Sequence, residues 1–396
     1  MRSIVVAGAG LAGFRAAQSL RKNGFTGKLT IIGDEVHRPY DRPPLSKQLL
    51  SGIYTRDQCM LPGEVEEVTW LLGQPIASLD RSRGLITMAD GTEVGYDGLV
   101  IATGRRARPW PGPAPADGVV VLRSFDDVER FQGAVVDDSK LVIIGAGFIG
   151  CEVAATLRQR GVDVTIVDIC EYPMPAIGPE VGKRAIELHT AHGVKFRLGQ
   201  GVASIDGTDR VTGLTLADGE RLDADVVLVA IGTVANSEWL AGTGIALDGG
   251  AVVCDIYCGA LDSMGEPIPG VTAAGDVAAW PHRHGATPVC IEHWSNARDM
   301  ADCAAANLLA EPPERRPLNS VPAFWSDQYN VKFKSAGYLR AADRFTVVSE
   351  NWDNTEKPSL LVEALRGDEV VGAIAMNMNK AILGYQRSLA ASPAAQ

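Results

Sequence analysis

What this chain lacks narrows its function first. Nowhere in its 396 residues does an apolar stretch approach the length of a membrane-spanning helix, which needs ~18 residues. The strand-like run Ile4-Val5-Val6 begins almost at once and leaves no room for a leader segment, so a soluble, cytoplasmic protein is expected. Basic residues are the minority, 37 against 48 acidic, for a net charge of −11. That balance opposes general nucleic-acid binding, and no run of five or more like charges offsets it. An acidic partner would have to meet a local basic patch against the overall field. Aromatic residues are scarce, at 6 %.

The seven cysteines, at 59, 151, 170, 254, 258, 290 and 303, are odd in number and irregular in spacing, unlike a secreted disulfide framework. Cys254 and Cys258 form a CxxxC with no second pair and no histidine nearby, which is not a zinc-site pattern. The cysteines read mostly as small buried apolar residues.

What is present is glycine, 43 residues of it, in a chain that is 46 % hydrophobic. That composition suits layered α/β domains, and the length favours two or three of them. Residues 2–7 form an apolar run that ends in Gly8-Ala9-Gly10-Leu11-Ala12-Gly13. Helical spacing follows through Phe14, Ala17 and Leu20, and a second run, Leu29 to Ile32, ends at Gly33-Asp34-Glu35. This is a βαβ unit. The pattern returns as Lys140 to Ile144, Gly145-Ala146-Gly147-Phe148-Ile149-Gly150, a helix through Val153, Ala154 and Leu157, and Val164 to Asp168.

Each half also closes alike, on Tyr96 to Gly104 and on Ala224 to Gly232. Between the units lie a proline-rich loop, Arg38 to Lys47, and a hairpin, Leu85–Met88 and Thr92–Val94, turning at Asp90-Gly91. Gly270 to Val277 is a third buried strand ending in glycine and an acid, and it is expected to rejoin the first domain. From about Val321 the pattern changes to that of a small α+β domain. The tail after about Ser388 is expected to be disordered.

In such a unit the first glycine makes the tight turn, the second admits a pyrophosphate, and the third lets helix pack on strand. Phosphate then meets free N–H groups and the positive end of the helix dipole. Both fingerprints are complete, with Asp34 and Glu35 after the first and Asp168 after the second. Asp168 can accept hydrogen bonds from a ribose 2′-hydroxyl and would repel a 2′-phosphate. The next residues, Ile169 to Tyr172, offer no arginine, so NADH is favoured over NADPH. Two dinucleotides in one chain imply electron transfer between them, and a flavin can take a hydride and release single electrons. A redox disulfide is disfavoured because the loop Pro39-Tyr40-Asp41-Arg42-Pro43-Pro44-Leu45-Ser46-Lys47 contains no cysteine.

On these stretches the chain resembles the FAD-dependent NADH:ferredoxin reductases of oxygenase and cytochrome P450 systems, the putidaredoxin reductase and biphenyl dioxygenase reductase type. Matching segments include Gly8–Gly13, Gly33–Glu35, Pro39–Lys47, Ala102–Gly104, Leu122–Ser124, Gly145–Glu152, Ala273–Val277, Ile291–Ala297 and Val321–Tyr329 with its Phe-Trp-Ser-Asp-Gln core. They span nearly the whole chain in the family's order. The proline-rich loop and the Phe-Trp-Ser-Asp-Gln core are the most discriminating.

The resemblance implies two Rossmann-like domains of the disulfide-reductase-like flavoprotein fold plus a small C-terminal α+β interface domain. These are an FAD domain at 1–110 and 240–318, an NADH domain at 111–239 and an interface domain at 319–396. It implies FAD at Gly8, Gly10, Ala12 and Gly13, with Glu35 at the ribose and Ala77 near the adenine. Lys47 would sit by the flavin ring, where a cation stabilises developing negative charge. Arg42, Pro43, Thr103, Gly104, Arg123, Gly275 and Asp276 complete the implied FAD contacts. Gly145, Gly147, Ile149, Gly150 and Asp168 would bind NADH, with Glu152 at the nicotinamide end. Gly232, Glu292, His293, Trp294 and Trp325 are further implied cofactor contacts. Lys47, Glu152 and Trp294 are the candidate catalytic residues.

The sequence departs from many relatives before Glu292, where Pro288 to Ile291 carries no arginine. His282, Arg283 and His284 are candidates to replace that charge. Arg298, Arg315, Arg316, Lys332 and Lys334 are candidates for a positive docking surface. The implied activity is transfer of electrons from NADH through FAD to an iron–sulfur ferredoxin that serves an oxygenase, foremost a cytochrome P450. Two other readings stay open: an NADH oxidase or peroxidase, and a redox sensor of the apoptosis-inducing-factor kind.

Overall fold

A computed structural model describes residues 1–136, 138–354 and 356–391. The first glycine turn lies in a six-stranded sheet whose strands run, in spatial order, Gly259–Leu261, Pro267–Ala273, Gly98–Ile101, Ser3–Ala7, Lys28–Ile32 and Val68–Leu71. All neighbours are parallel except the outermost pair, Gly259–Leu261 with Pro267–Ala273. The central register sets Val6 opposite both Ile31 and Val100. These strands are continuous apolar runs because both faces are covered. Helices Leu11–Lys22 and Trp294–Leu309 pack together, and their buried alanines, Ala16, Ala17, Ala301 and Ala305, allow close approach.

The second turn lies in a five-stranded parallel sheet ordered Lys195–Leu198, Asp163–Asp168, Lys140–Ile144, Val226–Val229 and Val119–Val120. The two turns are built alike. Gly8 and Gly145 have φ of +123° and +111°, values that glycine alone adopts without strain. A Cβ on Gly8 would lie 2.0 Å from the Ala102 oxygen, and one on Gly145 would lie 2.3 Å from the Ala230 oxygen. A Cβ on Gly13 or Gly150 would meet the oxygen of Gly8 or Gly145 at 1.8 and 2.1 Å. So the close of each half, read from the sequence as an echo, is the strand end against which its glycine turn is pressed.

The repeat goes further than the sequence patterns reached. The expected hairpin gains a third strand, making a sheet of Ile76–Asp80, Leu85–Met88 and Glu93–Gly95. The second half has a counterpart in Val202–Gly207, Val211–Leu216 and Arg221–Asp223. Arg105–Ala107 pairs antiparallel with Thr233–Ala235 where the chain crosses between the halves, and Asn236 Nδ2 donates to the Thr103 oxygen at 3.0 Å.

The C-terminal unit is an antiparallel five-stranded sheet ordered Trp325–Gln328, Val331–Gly337, Glu369–Met376, Ser359–Arg366 and Arg344–Asn351. Helix Asn379–Ala391 covers one face through Ile382 and Leu389. The other face shares a core with Cys151, Met174, Ile177, Val181 and Leu188 of the second unit. The tail expected to be disordered after Ser388 is helical through Ala391, because Leu389 is buried against that sheet. Residues 392–396 of that tail lie outside the described residues. Among the described residues no helix is long and apolar enough to cross a membrane.

Gly13→Ala is expected to lower the unfolding free energy by about 2–3 kcal/mol, since backbone stands where the methyl must go. Gly10→Ala, which has nothing within 4 Å of an added Cβ, should change it by less than about 0.5 kcal/mol. Urea unfolding of both variants checks this, and equal losses would contradict the packing described.

Candidate functional site

The two glycine turns open the site. Helices Leu11–Lys22 and Phe148–Arg158 start at Gly10 and Gly147, and neither start has a side-chain cap. Both glycines face open space, with nothing within 4 Å of a built Cβ. Each turn therefore offers uncapped backbone N–H groups and room beside them. Ala12 lies against Gly275, which has φ +78° and would place a Cβ 2.7 Å from the Ala12 Cβ. This contact brings the Gly275–Val277 turn, with Asp276, to the first helix. Ile149 stands 41 % exposed at the mouth of the second turn.

Lys47 and Glu152 meet between the two units. Lys47 Nζ lies 2.7 Å from Glu152 Oε2, and the side chains are 11 % and 5 % exposed. Lys47 follows the short helix Pro43–Ser46, where the two prolines set the turn, and Glu152 lies in the first turn and a half of its helix. Ser46 Oγ donates to the same carboxylate oxygen. Ser326 Oγ donates to the other, Oε1, at 2.7 Å. The acid thus has two hydroxyl donors and an ammonium, the compensation a buried charge requires.

A second set of charges crosses the first unit. Arg42 Nη2 lies 2.6 Å from Glu35 Oε1, and Tyr40 donates its hydroxyl to Glu35 Oε2. Burial pushes the Tyr40 phenol well above its ordinary pKa, so it remains a donor. Its ring stacks on Phe125 at 3.7 Å and 16°. Arg42 also donates to the Arg123 oxygen, and Arg123 Nη2 lies 2.8 Å from Asp276 Oδ2. Glu35, Arg42, Arg123 and Asp276 are therefore connected, and Pro43 follows Arg42 at the start of the short helix. Thr103 and Gly104 sit at the crossing, with Thr103 Oγ1 donating to the Asn236 oxygen at 2.6 Å. Gly232, at φ +96°, adjoins the other crossing strand, and its Cβ position is open. Ala77 is exposed at a bulge in strand Ile76–Asp80.

In the second unit the Asp168 carboxylate accepts the backbone N–H of Ala146 at 2.5 Å and of Cys170 at 2.7 Å. It braces the glycine turn from below. His293, just before helix Trp294–Leu309, has an unpartnered Nδ1. Burial lowers its pKa to about 4 and keeps the ring neutral. Trp294 Nε1 donates to Asp41 Oδ1 at 2.8 Å, and its ring meets Trp325 edge-on at 6.1 Å. Trp325 is 39 % exposed, so this tryptophan pair reaches the surface.

The cation beside Glu292 is Arg105, at 3.5 Å, and Thr233 Oγ1 bridges them through bonds to both side chains. His282, Arg283 and His284 do not fill that role. His284 instead approaches Glu369, at 3.8 Å, because the 282–284 turn faces the C-terminal sheet. The expected positive surface is also of mixed sign. Arg298 pairs with Asp299 at 3.2 Å, and Lys332 stands opposite Asp327 in the strand ladder.

Several site residues escaped the sequence reading: Ser46, Ser326, Gln328, His189, Arg105 and Thr233. The first three lie inside motifs already singled out. Ser326 and Gln328 alternate along the strand Trp325–Gln328, a period-two signal for one buried polar face. All seven cysteines are free, and among the described residues no cluster of three His, Cys, Asp or Glu side chains could hold a metal ion.

Two dinucleotide turns beside one buried ion pair, with all seven cysteines free, define a two-nucleotide oxidoreductase. The chain belongs to the pyridine nucleotide-disulphide oxidoreductase family, whose model matches residues 2–301, and a reductase C-terminal model matches 323–396. It is 41 % identical to rhodocoxin reductase of Rhodococcus erythropolis, over 87 % of this chain and 80 % of that one. To putidaredoxin reductase of Pseudomonas putida it is 32 % identical, over 95 % and 88 %. The solved covalent putidaredoxin reductase–putidaredoxin complex superposes with a TM-score of 0.90 at 30 % identity, covering 98 % of this chain and 93 % of that one. The ferredoxin reductase for the CYP199A2 system of Rhodopseudomonas palustris gives 0.88 at 30 %, covering 97 % and 94 %.

FAD and NAD(H) are the cofactors of this family. The residues present fit them: two open, uncapped glycine turns for two pyrophosphates, each followed by an acid.

Lys47→Met and Glu152→Gln are each expected to cost about 3 kcal/mol of stability, because either leaves a buried polar partner uncompensated. The double variant should cost clearly less than the two losses added. A chemical-denaturation double-mutant cycle measures this, and strictly additive losses would show that the pair does not form in solution.

Proposed function

We propose that this chain is a cytoplasmic, FAD-containing NADH:ferredoxin reductase whose iron–sulfur partner serves an oxygenase, foremost a cytochrome P450. The observation that carries the reading is the Lys47–Glu152 pair. It joins the loop after the first nucleotide turn to the first turns of the helix that begins at the second. The proposed division is an FAD domain at 1–110 and 240–318, an NADH domain at 111–239 and an interface domain at 319–396. Relatives named as reductases of rhodocoxin, putidaredoxin and dioxygenase ferredoxins support the choice of partner.

When bound, FAD supplies the conversion between the two electrons of NADH and the single electrons an iron–sulfur cluster accepts. The chain's own residues position and insulate that conversion. The turns at Gly8–Gly13 and Gly145–Gly150 hold the two pyrophosphates. Glu35 takes the FAD ribose, and Arg42, Pro43, Thr103, Gly104, Arg123, Gly275 and Asp276 line the rest of that site. Asp168 keeps free lone pairs for the NADH ribose while bracing its turn. Lys47 places a positive charge beside the flavin, and Glu152 holds that ammonium in place. Hydride transfer needs alignment and exclusion of water more than acid–base catalysis, and the burial of Lys47 and Glu152 matches that demand. Trp294 and Trp325, which run from the helix start to the surface, mark the side on which a ferredoxin docks.

The test is anaerobic reduction of the yellow protein by NADH, then mixing with a panel of ferredoxins. Rapid flavin reoxidation matched by bleaching of one cluster is expected. Reduction without transfer, but with fast turnover in oxygen, would establish an oxidase instead, and dimerisation on reduction without transfer would establish a sensor. Asp168→Ala is expected to raise KM for NADH by about 10- to 100-fold, the worth of hydrogen bonds to a charged acceptor, and to narrow the preference over NADPH. Steady-state kinetics with both nucleotides checks this, and unchanged values would remove Asp168 from the site.

A further inference from the structure

The Glu152 carboxylate does not end the polar contacts at the ion pair. From its Oε1 a line of hydrogen bonds runs through the C-terminal strand into the second unit. Ser326 Oγ donates to Glu152 Oε1 at 2.7 Å, and Gln328 Nε2 donates to Ser326 Oγ at 3.1 Å. Gln328 Oε1 lies 2.9 Å from His189 Nε2, and Tyr329 OH lies 3.4 Å from His189 Nδ1. Ser326, Gln328 and His189 have no exposed surface. Because Gln328 Oε1 can only accept, His189 Nε2 must carry its proton, and Nδ1 is left to accept from Tyr329. Every donor along this line then points the same way, towards Glu152, while Gln328 Nε2 also donates to Met174 Sδ at 3.5 Å.

We infer that Ser326 and Gln328 are positioning residues that hold the Glu152 carboxylate aimed at Lys47, so that the C-terminal unit sets the geometry of the ion pair between the two nucleotide units. This rests on the function proposed above. The line is not a proton wire, because a neutral amide has no proton to relay without becoming an imidic acid. It is a fixed array of donors that holds the carboxylate oxygen it faces in one place.

Lys47 and Ser46 both engage Oε2 of Glu152, which leaves Oε1 to Ser326 and, behind it, Gln328. Lys47 faces it from the preceding loop and Ser46 from the short helix. Cys151, on its own helix, has its thiol pushed up by burial and stays neutral. His189, on helix Pro179–Ala191, has its pKa lowered to about 4 by burial and also stays neutral. Burial raises the Tyr329 phenol, which stacks on His192 at 3.7 Å. The charged groups further off are Asp168, below the glycine turn, and Arg158, towards the far end of the same helix and near Tyr329. Asp327 lies on the opposite face of the strand.

The test uses the flavin-loaded protein. The midpoint potential is measured with a chemical reductant, and the limiting rate of flavin reduction and the KM for NADH are measured at the same pH. In Ser326→Ala the limiting rate should fall by about 10-fold with KM little changed, the worth of one hydrogen bond to a charged acceptor, and the midpoint potential should move with it. In Gln328→Met the rate should fall by roughly 3-fold. Ser326→Thr, which keeps the hydroxyl, should restore the wild-type rate and potential. An unchanged rate and potential in folded, flavin-loaded Ser326→Ala would overturn the inference, and so would an equal loss in Ser326→Thr, which would point to packing.

If Ser326→Ala does not fold, nitrogen-15 spectra of the wild type decide. The Nε2–H tautomer of His189 is expected, and the Nδ1–H tautomer would reverse the donors and overturn the inference. The chemical-reductant measurement does not depend on NADH, so failure of the proposed function would appear separately, as a protein that NADH does not reduce.

Discussion

The placement of everything near the site depends on one contact, the buried ion pair between Lys47 and Glu152. Taking two charges out of water costs several kcal/mol for each ion, and the Coulomb attraction offsets that only when geometry is close and the remaining valences are filled. Here they are filled from three directions: Lys47 and Ser46 from the loop after the first βαβ unit, Glu152 from the second, and Ser326 from the C-terminal sheet. None of these pieces can shift by an ångström or two without stranding a charge. The units are therefore held in one relation by an electrostatic requirement as well as by the apolar core that Cys151, Met174 and Val181 share with Val331 and Phe333.

The two halves repeat a backbone but not a charge pattern. Both turns use glycine where the strand carrying Ala102 or Ala230 presses against them, and both leave the helix start uncapped. Around the first turn stand Arg42, Arg123 and Lys47, cations already matched to acids within the protein. Around the second stands Asp168, whose carboxylate accepts the backbone N–H groups of Ala146 and Cys170. An anion-binding backbone used twice thus meets two different chemistries. The first is ringed by ion pairs, and the second is braced by an acid held on backbone donors.

Much of this was legible in the sequence because it was local. The glycine turns, their strands and their acids are short-range patterns, and resemblance placed Lys47, Glu152 and the tryptophans in one site. What was not legible was non-local. Arg105 reaches Glu292 only because its strand pairs with Thr233–Ala235, more than a hundred residues away, and no spacing rule announces such a ladder. The sheet Val202–Gly207, Val211–Leu216 and Arg221–Asp223 was missed although its counterpart had been partly read. The helix through Ser388 was missed because its small and polar composition says little, whereas the burial of Leu389 decides it.

The strand Trp325–Gln328 shows how little separation the chain needs between two tasks. Side chains alternate across a strand, so neighbours point to opposite faces. Trp325 is exposed and meets Trp294, while Ser326 and Gln328 are buried and face Glu152 and His189. One peptide unit thus divides a surface that a partner can touch from the interior that fixes the acid. A one-residue slip of register would exchange the two faces at once, placing an indole at the carboxylate and a hydroxyl at the surface. The register is secured away from the site, by pairing with Val331–Gly337, whose Val331 and Phe333 are fully buried in the core shared with the second unit. The polar function of this strand is therefore specified by apolar packing on the next one.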